Sequence, residues 1–289
     1  MDSRNCILIL ALLCACGCGQ AASAPPPGPR VASIWVTRDY GKTLLRASRA
    51  TPGQEAIKAL ERTADVSTAY GGRFVQGIDG LKGDQSRSQA WLYLINGVDP
   101  GVGAGDYTLH PGDVEWWDYR YWANMISTSA AIGAWPEPFL HGFDGHKPRV
   151  EVGGLSCAGD IAASLRQDGV RTVQGSSPYA VHVTTFANAP GDLGEWQGRG
   201  LTVALRHDQV LVYHGARGMI PDPSAHALIA AYSPTGQPIS SVTLVVAGDT
   251  EQTACAAADL LAHHPSAVKR TYAVALDGSG HVVAAGGQP

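Results

Sequence analysis

Val31 to Thr37 (VASIWVT) is a short, largely apolar run rich in β-branched and aromatic residues, which reads as a strand. Asp39-Tyr40-Gly41 supplies a turn, and Thr43 to Ala47 returns as the partner strand. The spacing then becomes helical: Ala56, Ile57, Leu60 and Ala64 fall on one face, with Thr51 suited to the N-cap, Pro52 to the first position and Gln54 to the capping box. After Tyr70-Gly71-Gly72, strands are expected at Phe74–Ile78, Trp91–Ile95 and Val114–Tyr119. The order β-β-α-β-β-β over residues 31–122 predicts a small mixed sheet wrapped on one helix, a β-grasp-like domain.

Residues 149–289 read differently. Strands are expected at Arg149–Gly153, Val170–Val173 and Ala180–Phe186, with a helix near Cys157–Gln167. Leu201–Arg206 and Gln209–Tyr213 predict a hairpin across His207-Asp208. A strand (Val242–Ala247), a helix (Thr250–His263) and two strands (Tyr272–Leu276, His281–Ala284) follow, so this region is expected to be an α/β domain. The whole chain is therefore α+β: a β-grasp-like domain followed by an α/β domain. Residues 123–148 combine glycines and prolines with Trp135 and Phe139, which predicts an ordered interdomain segment. VEVGG…CAGDIAASL and LVVAGD…CAAADLLA share a strand-glycine-helix pattern that suggests a weak internal duplication.

Composition adds an address. Arg4 precedes an apolar run, Cys6 to Cys16, too short to span a bilayer but suited to a signal-peptide core within residues 1–24. Cys16, with Leu13 three residues before it, resembles the lipidated cysteine of a bacterial lipobox, and Cys18 is the alternative. The expectation is an exported protein held at the membrane by an N-terminal lipid; ordinary secretion after cleavage near Ala22 or Ala24 is the alternative. In an oxidising compartment Cys157 and Cys255 are expected either to pair or to stay as buried thiols. Charged residues make up only 16% with a net charge of -4, and no Lys/Arg run occurs, so nucleic acid is not an expected partner.

Candidate chemistry concentrates between Trp91 and Trp117, where aromatic strands flank a glycine-spaced loop. Six of the seven tryptophans lie between Trp35 and Trp135, and one face of the last strand must find a cover: a ligand or the second domain. His141, Asp144 and His146 share a glycine-rich segment that a metal could use, but no second half of a ligand set accompanies them, and no metal site is expected. Ser156 in GLSCA lacks the closing glycine of a nucleophile elbow. No enzyme signature emerges, so a protein without catalytic residues is expected.

Trp91-x-x-x-x-Asn96-Gly97, then Gly103-x-Gly105-x-Tyr107, then Gly112-Asp113 before a strand, closely resemble the DUF4430 domain. That domain is in turn similar to the small C-terminal domain of the vitamin B12 carriers intrinsic factor and transcobalamin. The resemblance covers about Val31 to Trp122. It implies a β-grasp fold and, by analogy, a binding surface at Trp91, Tyr93, Asn96, Gly97, Gly103, Gly105 and Tyr107, with cobalamin or another small molecule as ligand. This chain lacks the helical barrel that closes over the vitamin in those carriers. The expected function is ligand binding at the cell envelope, with a structural or glycan- or protein-binding role as the alternative.

Overall fold

The strand expected after Val31 is β1 (Ala32–Arg38), with Ala32, Ile34 and Val36 buried, and β2 (Thr43–Ala50) returns antiparallel beside it. This computed structural model describes residues 31–72, 74–125, 128–236 and 240–287. The signal segment and the lipidation positions Cys16 and Cys18 lie outside the described residues.

Helix α1 (Ala56–Glu61) begins four residues later than the Thr51-Pro52 signal predicts. The reason is tertiary pairing. Residues 53–57 exchange backbone hydrogen bonds with the glycine loop: Gly53 N–H donates to Leu109, Ala56 to Tyr107 and Ile57 to Ala104, while Leu109 N–H donates back to Gln54. The groups that a first helical turn would leave unpaired are thereby satisfied as a strand-like bridge. Gln54 still reaches back, its amide donating to the Thr51 carbonyl.

β3 (Val66–Ala69), β4 (Phe74–Ile78) and β5 (Leu81–Lys82) form their own antiparallel sheet. β6 (Gln89–Ile95) and β7 (Val114–Tyr121) join the first pair in the order β2-β1-β7-β6, with β1 and β7 parallel at the centre. The single mixed sheet expected from the sequence is thus two sheets. Trp117 and Tyr119 turn toward α1, while Trp116 faces the other way, as strand alternation requires.

In the second half, β8 (Arg149–Gly154) leads into α2 (Ala158–Gln167) and β9 (Arg171–Val173). β10 (Tyr179–Thr185) and the short α3 (Trp196–Arg199) precede a three-stranded sheet of β11 (Val203–Arg206), β12 (Gln209–Tyr213) and β13 (Met219–Pro221). β14 (Ala227–Tyr232), β15 (Val242–Gly248), α4 (Glu251–His263), β16 (Val274–Leu276) and β17 (Val282–Ala285) follow. The seven-stranded sheet runs β17-β16-β14-β15-β10-β8-β9, parallel among β15, β10, β8 and β9. Ile161 and Leu165 of α2 and Ala254, Ala258 and Leu261 of α4 bury against one face, while the β11–β13 sheet covers the other. Thr250 caps α4 in a reciprocal box with Thr253. Cys157, just before α2, is disulfide-bonded to Cys255 in the second turn of α4.

The exposed-aromatic question of the sequence has an internal answer. Trp116 is fully buried and packs edge-on to Tyr272 at 5.1 Å between ring centroids; Tyr40 meets Tyr213 at 5.5 Å and Tyr272 at 5.2 Å. Arg120 is buried among them, its guanidinium 4.9 Å from the Tyr40 ring centre and donating to the Tyr40 hydroxyl and the Met125 carbonyl. Asp118 accepts from the Thr37 hydroxyl at 2.6 Å and from Gly41 N–H. Burial pushes the Asp118 carboxyl and the Tyr272 phenol up, with Arg120 opposing both shifts. Hydrogen bonds and the Tyr40 and Tyr272 ring faces make the buried Arg120 charge tolerable where an isolated one would not be. The second half of the chain covers this aromatic face.

Candidate functional site

The Asn96-Gly97 pair is a two-residue hairpin turn with positive φ at both positions, closed by reciprocal Ile95–Val98 backbone bonds. A side chain on Gly97 would meet the Ala131 carbonyl at 2.5 Å, so only glycine fits. Asn96 has no solvent exposure. Its amide donates to Asp113 at 2.9 Å and to the Gly142 carbonyl at 2.8 Å, and its Oδ1 accepts from Val114 N–H at 2.8 Å. Asp113 also accepts from the Tyr107 hydroxyl at 3.0 Å and from His110 N–H at 2.7 Å. Burial, together with the Asp113 charge, pushes the Tyr107 phenol far above its ordinary value, so it remains a donor at any physiological pH.

This network reaches a second loop. Besides the Asn96 bond to Gly142, the Tyr107 hydroxyl accepts from Asp144 N–H and its ring packs on Phe143 at 4.9 Å. Residues 142–146 turn back through positive φ at Gly142, Asp144 and Gly145, bridging Phe143 to His146. Behind them Glu137 accepts from the backbone N–H of His141 and pairs with its ring. Burial raises the Glu137 carboxyl, and His141 opposes the shift. Gly112 faces the His141 ring so closely that a Cβ would come within 2.5 Å of it.

The braced loop forms one wall of an open cleft of about 660 Å³. Phe143, Asp144, His146, Lys147, Pro148 and Arg149 line that wall, and Val173, Gln174, Ser176, Ser177, Pro178 and Tyr179 line the other, with Ser240 at the margin. The walls are tied together where the Ser177 hydroxyl donates to the Arg149 carbonyl at 2.7 Å. Rings and prolines offer apolar contact, while hydroxyls, an amide and cations offer orientation, which is the composition of a small-molecule site.

The residues implied as ligand contacts occupy other places. Trp91 is buried, its indole N–H donating to the Leu81 carbonyl at 2.9 Å. Tyr93 stacks on Trp117 at 4.9 Å and donates to the Val102 carbonyl. Asn96, Gly97 and Tyr107 are internal; Gly103 and Gly105 are half-buried, and Val102 at the loop tip is exposed. Asn96 and Tyr107 thus brace the cleft wall from behind. His141 is joined to Glu137 and does not meet His146; among the described residues no group of three or more His, Cys, Asp or Glu could hold a metal. The cleft itself was missed by sequence reasoning, although FDGHKPR (143–149) sets three basic residues between a glycine turn and a strand.

Residues 53–120, from the approach to α1 through most of β7, match a family model. That segment matches DUF4430, a domain of unknown function. The DUF4430 segment therefore includes Asn96, Tyr107 and Asp113 and stops short of both cleft walls. A crystal structure of a candidate metal-binding protein from Ruminococcus gnavus ATCC 29149 is similar at 16% identity, over 32% of this chain and 97% of that one, with a TM-score of 0.27. A likeness of that size carries no argument about this chain. No curated protein matches it.

Proposed function

We propose that this is an exported, lipid-tethered binding protein that holds a small molecule in the cleft between residues 143–149 and 173–179 without turning it over. The cleft carries the reading: its volume suits a small organic ligand, and its loop wall is fixed by the buried Asn96–Asp113–Tyr107 network. Arg4, the apolar run to Cys16 and the lipobox-like cysteines support export and tethering. A corrinoid is the ligand suggested by the vitamin-carrier resemblance. The burial of Trp91, Asn96 and Tyr107 supports the cleft, rather than those residues, as the place where a small molecule is held.

Titrating the mature protein with the neutral dye N-phenyl-1-naphthylamine tests the site, and cyanocobalamin tests the corrinoid version. Saturable dye fluorescence that Ser176→Trp abolishes by filling the cleft is the expected result. Dye binding indifferent to that substitution would refute the site, and unchanged tryptophan fluorescence at high micromolar cobalamin would refute the corrinoid. A second reading, an interaction protein, is favoured by the exposed Leu44, Leu45, Tyr70 and Phe74. Its test is whether replacing these four by serine alters self-association or adhesion to cell-wall material.

A further inference from the structure

The strand register places Arg149 of β8 directly beside Arg171 of β9, so the two guanidinium-bearing side chains leave the same face of the sheet. Like charges set opposite each other across strands are unfavourable. Lys147 stands two residues before Arg149, and all three side chains are exposed. None of the three is ion-paired among the described residues. Two carboxylates stand nearby, and neither is ion-paired with these cations: Glu151 accepts from Ser177 N–H at 3.3 Å, and Asp144 faces His110 Nε2 at 3.9 Å. Next to these cations, which outnumber the two carboxylates, lie Phe143, Pro148, Pro178 and Tyr179, which supply apolar area.

We propose that the cleft takes an organic anion, a carboxylate, sulfonate or phosphate on a ring-sized apolar body. Lys147 and Arg149 meet the charge, Arg171 strengthens the field, and the rings and prolines cover the body. This rests on the cleft being the binding site. Arginine's planar fork suits all three head groups, and lysine adds a point charge.

Two dyes of nearly the same body separate the claims: 1-anilinonaphthalene-8-sulfonate carries a sulfonate, and N-phenyl-1-naphthylamine does not. Each is titrated into the mature wild-type protein, Lys147→Gln/Arg149→Gln and Ser176→Trp, with circular dichroism confirming that every variant is folded. The expected result is one saturable site for the sulfonate, weakened roughly tenfold in the double variant, the size of losing a charge-assisted bond. The same site weakens in 0.5 M salt, roughly as far, because the cations are exposed. The neutral dye changes less than about twofold on losing the charges, and Ser176→Trp removes both dyes. If the neutral dye binds, Ser176→Trp removes it, and the sulfonate is indifferent to the double variant, the anion proposal falls while the cleft stands. If Ser176→Trp changes neither dye, the cleft reading falls and the anion proposal with it.

Discussion

Replacing Asn96 probes the link between the sequence motif and the cleft. Asn96→Ala strands three buried groups: the Asp113 Oδ1, the Gly142 carbonyl and the Val114 N–H. Each unsatisfied buried group costs about 1–3 kcal/mol. Alanine must also hold φ near +55°, a left-handed conformation that costs it about 1–2 kcal/mol. Members of one network do not add fully, because Asp113 keeps its Tyr107 and His110 partners. The expected loss is therefore about 4 kcal/mol, read as a lower urea midpoint at unchanged slope. Asn96→Gly removes the same bonds but relieves the φ strain, so it should be milder by about 1 kcal/mol. Both variants should weaken dye binding, since Gly142 loses its donor. A loss below about 1 kcal/mol for Asn96→Ala, or a glycine variant worse than the alanine one, would refute the reasoning.

Other consequences are as concrete. Reducing the Cys157–Cys255 bond, which spans 98 residues, should cost about 4–5 kcal/mol, measured as a fall in urea midpoint with dithiothreitol that a Cys157→Ser/Cys255→Ser protein does not show. Trp116→Ala removes a fully buried ring between the two halves and should cost about 3–5 kcal/mol, with limited proteolysis then cutting near residues 123–148. Glu115 has no exposure, and burial pushes its carboxyl from 4.5 up to about 8. Its folded pKa lies above the unfolded one, so its contribution is full below the unfolded pKa and lost as pH rises through the window to about 8. Glu115→Gln keeps an acceptor for the Trp117 indole N–H. It should gain on the wild type by up to about 1.4 kcal/mol per pH unit across that window, read from urea melts at several pH values.

Much of the fold was legible because local signals agreed with burial. The Val31–Thr37 strand, the His207-Asp208 hairpin with positive φ at both residues, and the Thr250-capped helix all stand where composition and turn chemistry put them. The start of α1 was not, because pairing with residues 104–109 overrides the Thr51-Pro52 signal. β14 was missed altogether. Its ALIAAY sequence is buried on both faces and carries no alternation, although a short apolar run is itself a buried-strand signal. The motif residues Asn96 and Tyr107 were found, but their direction was invisible: a single sequence does not say that an amide points inward to Gly142 rather than outward to a ligand. The cleft joins residues 143–149 to 173–179, brought together by the parallel pairing of β8 with β9 and β10.

The central claim is that the glycine-aromatic motif braces the site while the adjoining cleft binds. Amide hydrogen exchange with and without saturating 1-anilinonaphthalene-8-sulfonate tests it most directly. The account predicts slowed exchange confined to residues 143–149 and 174–180, with 101–107 unchanged. Slowing at 101–107 with none at the cleft would contradict it.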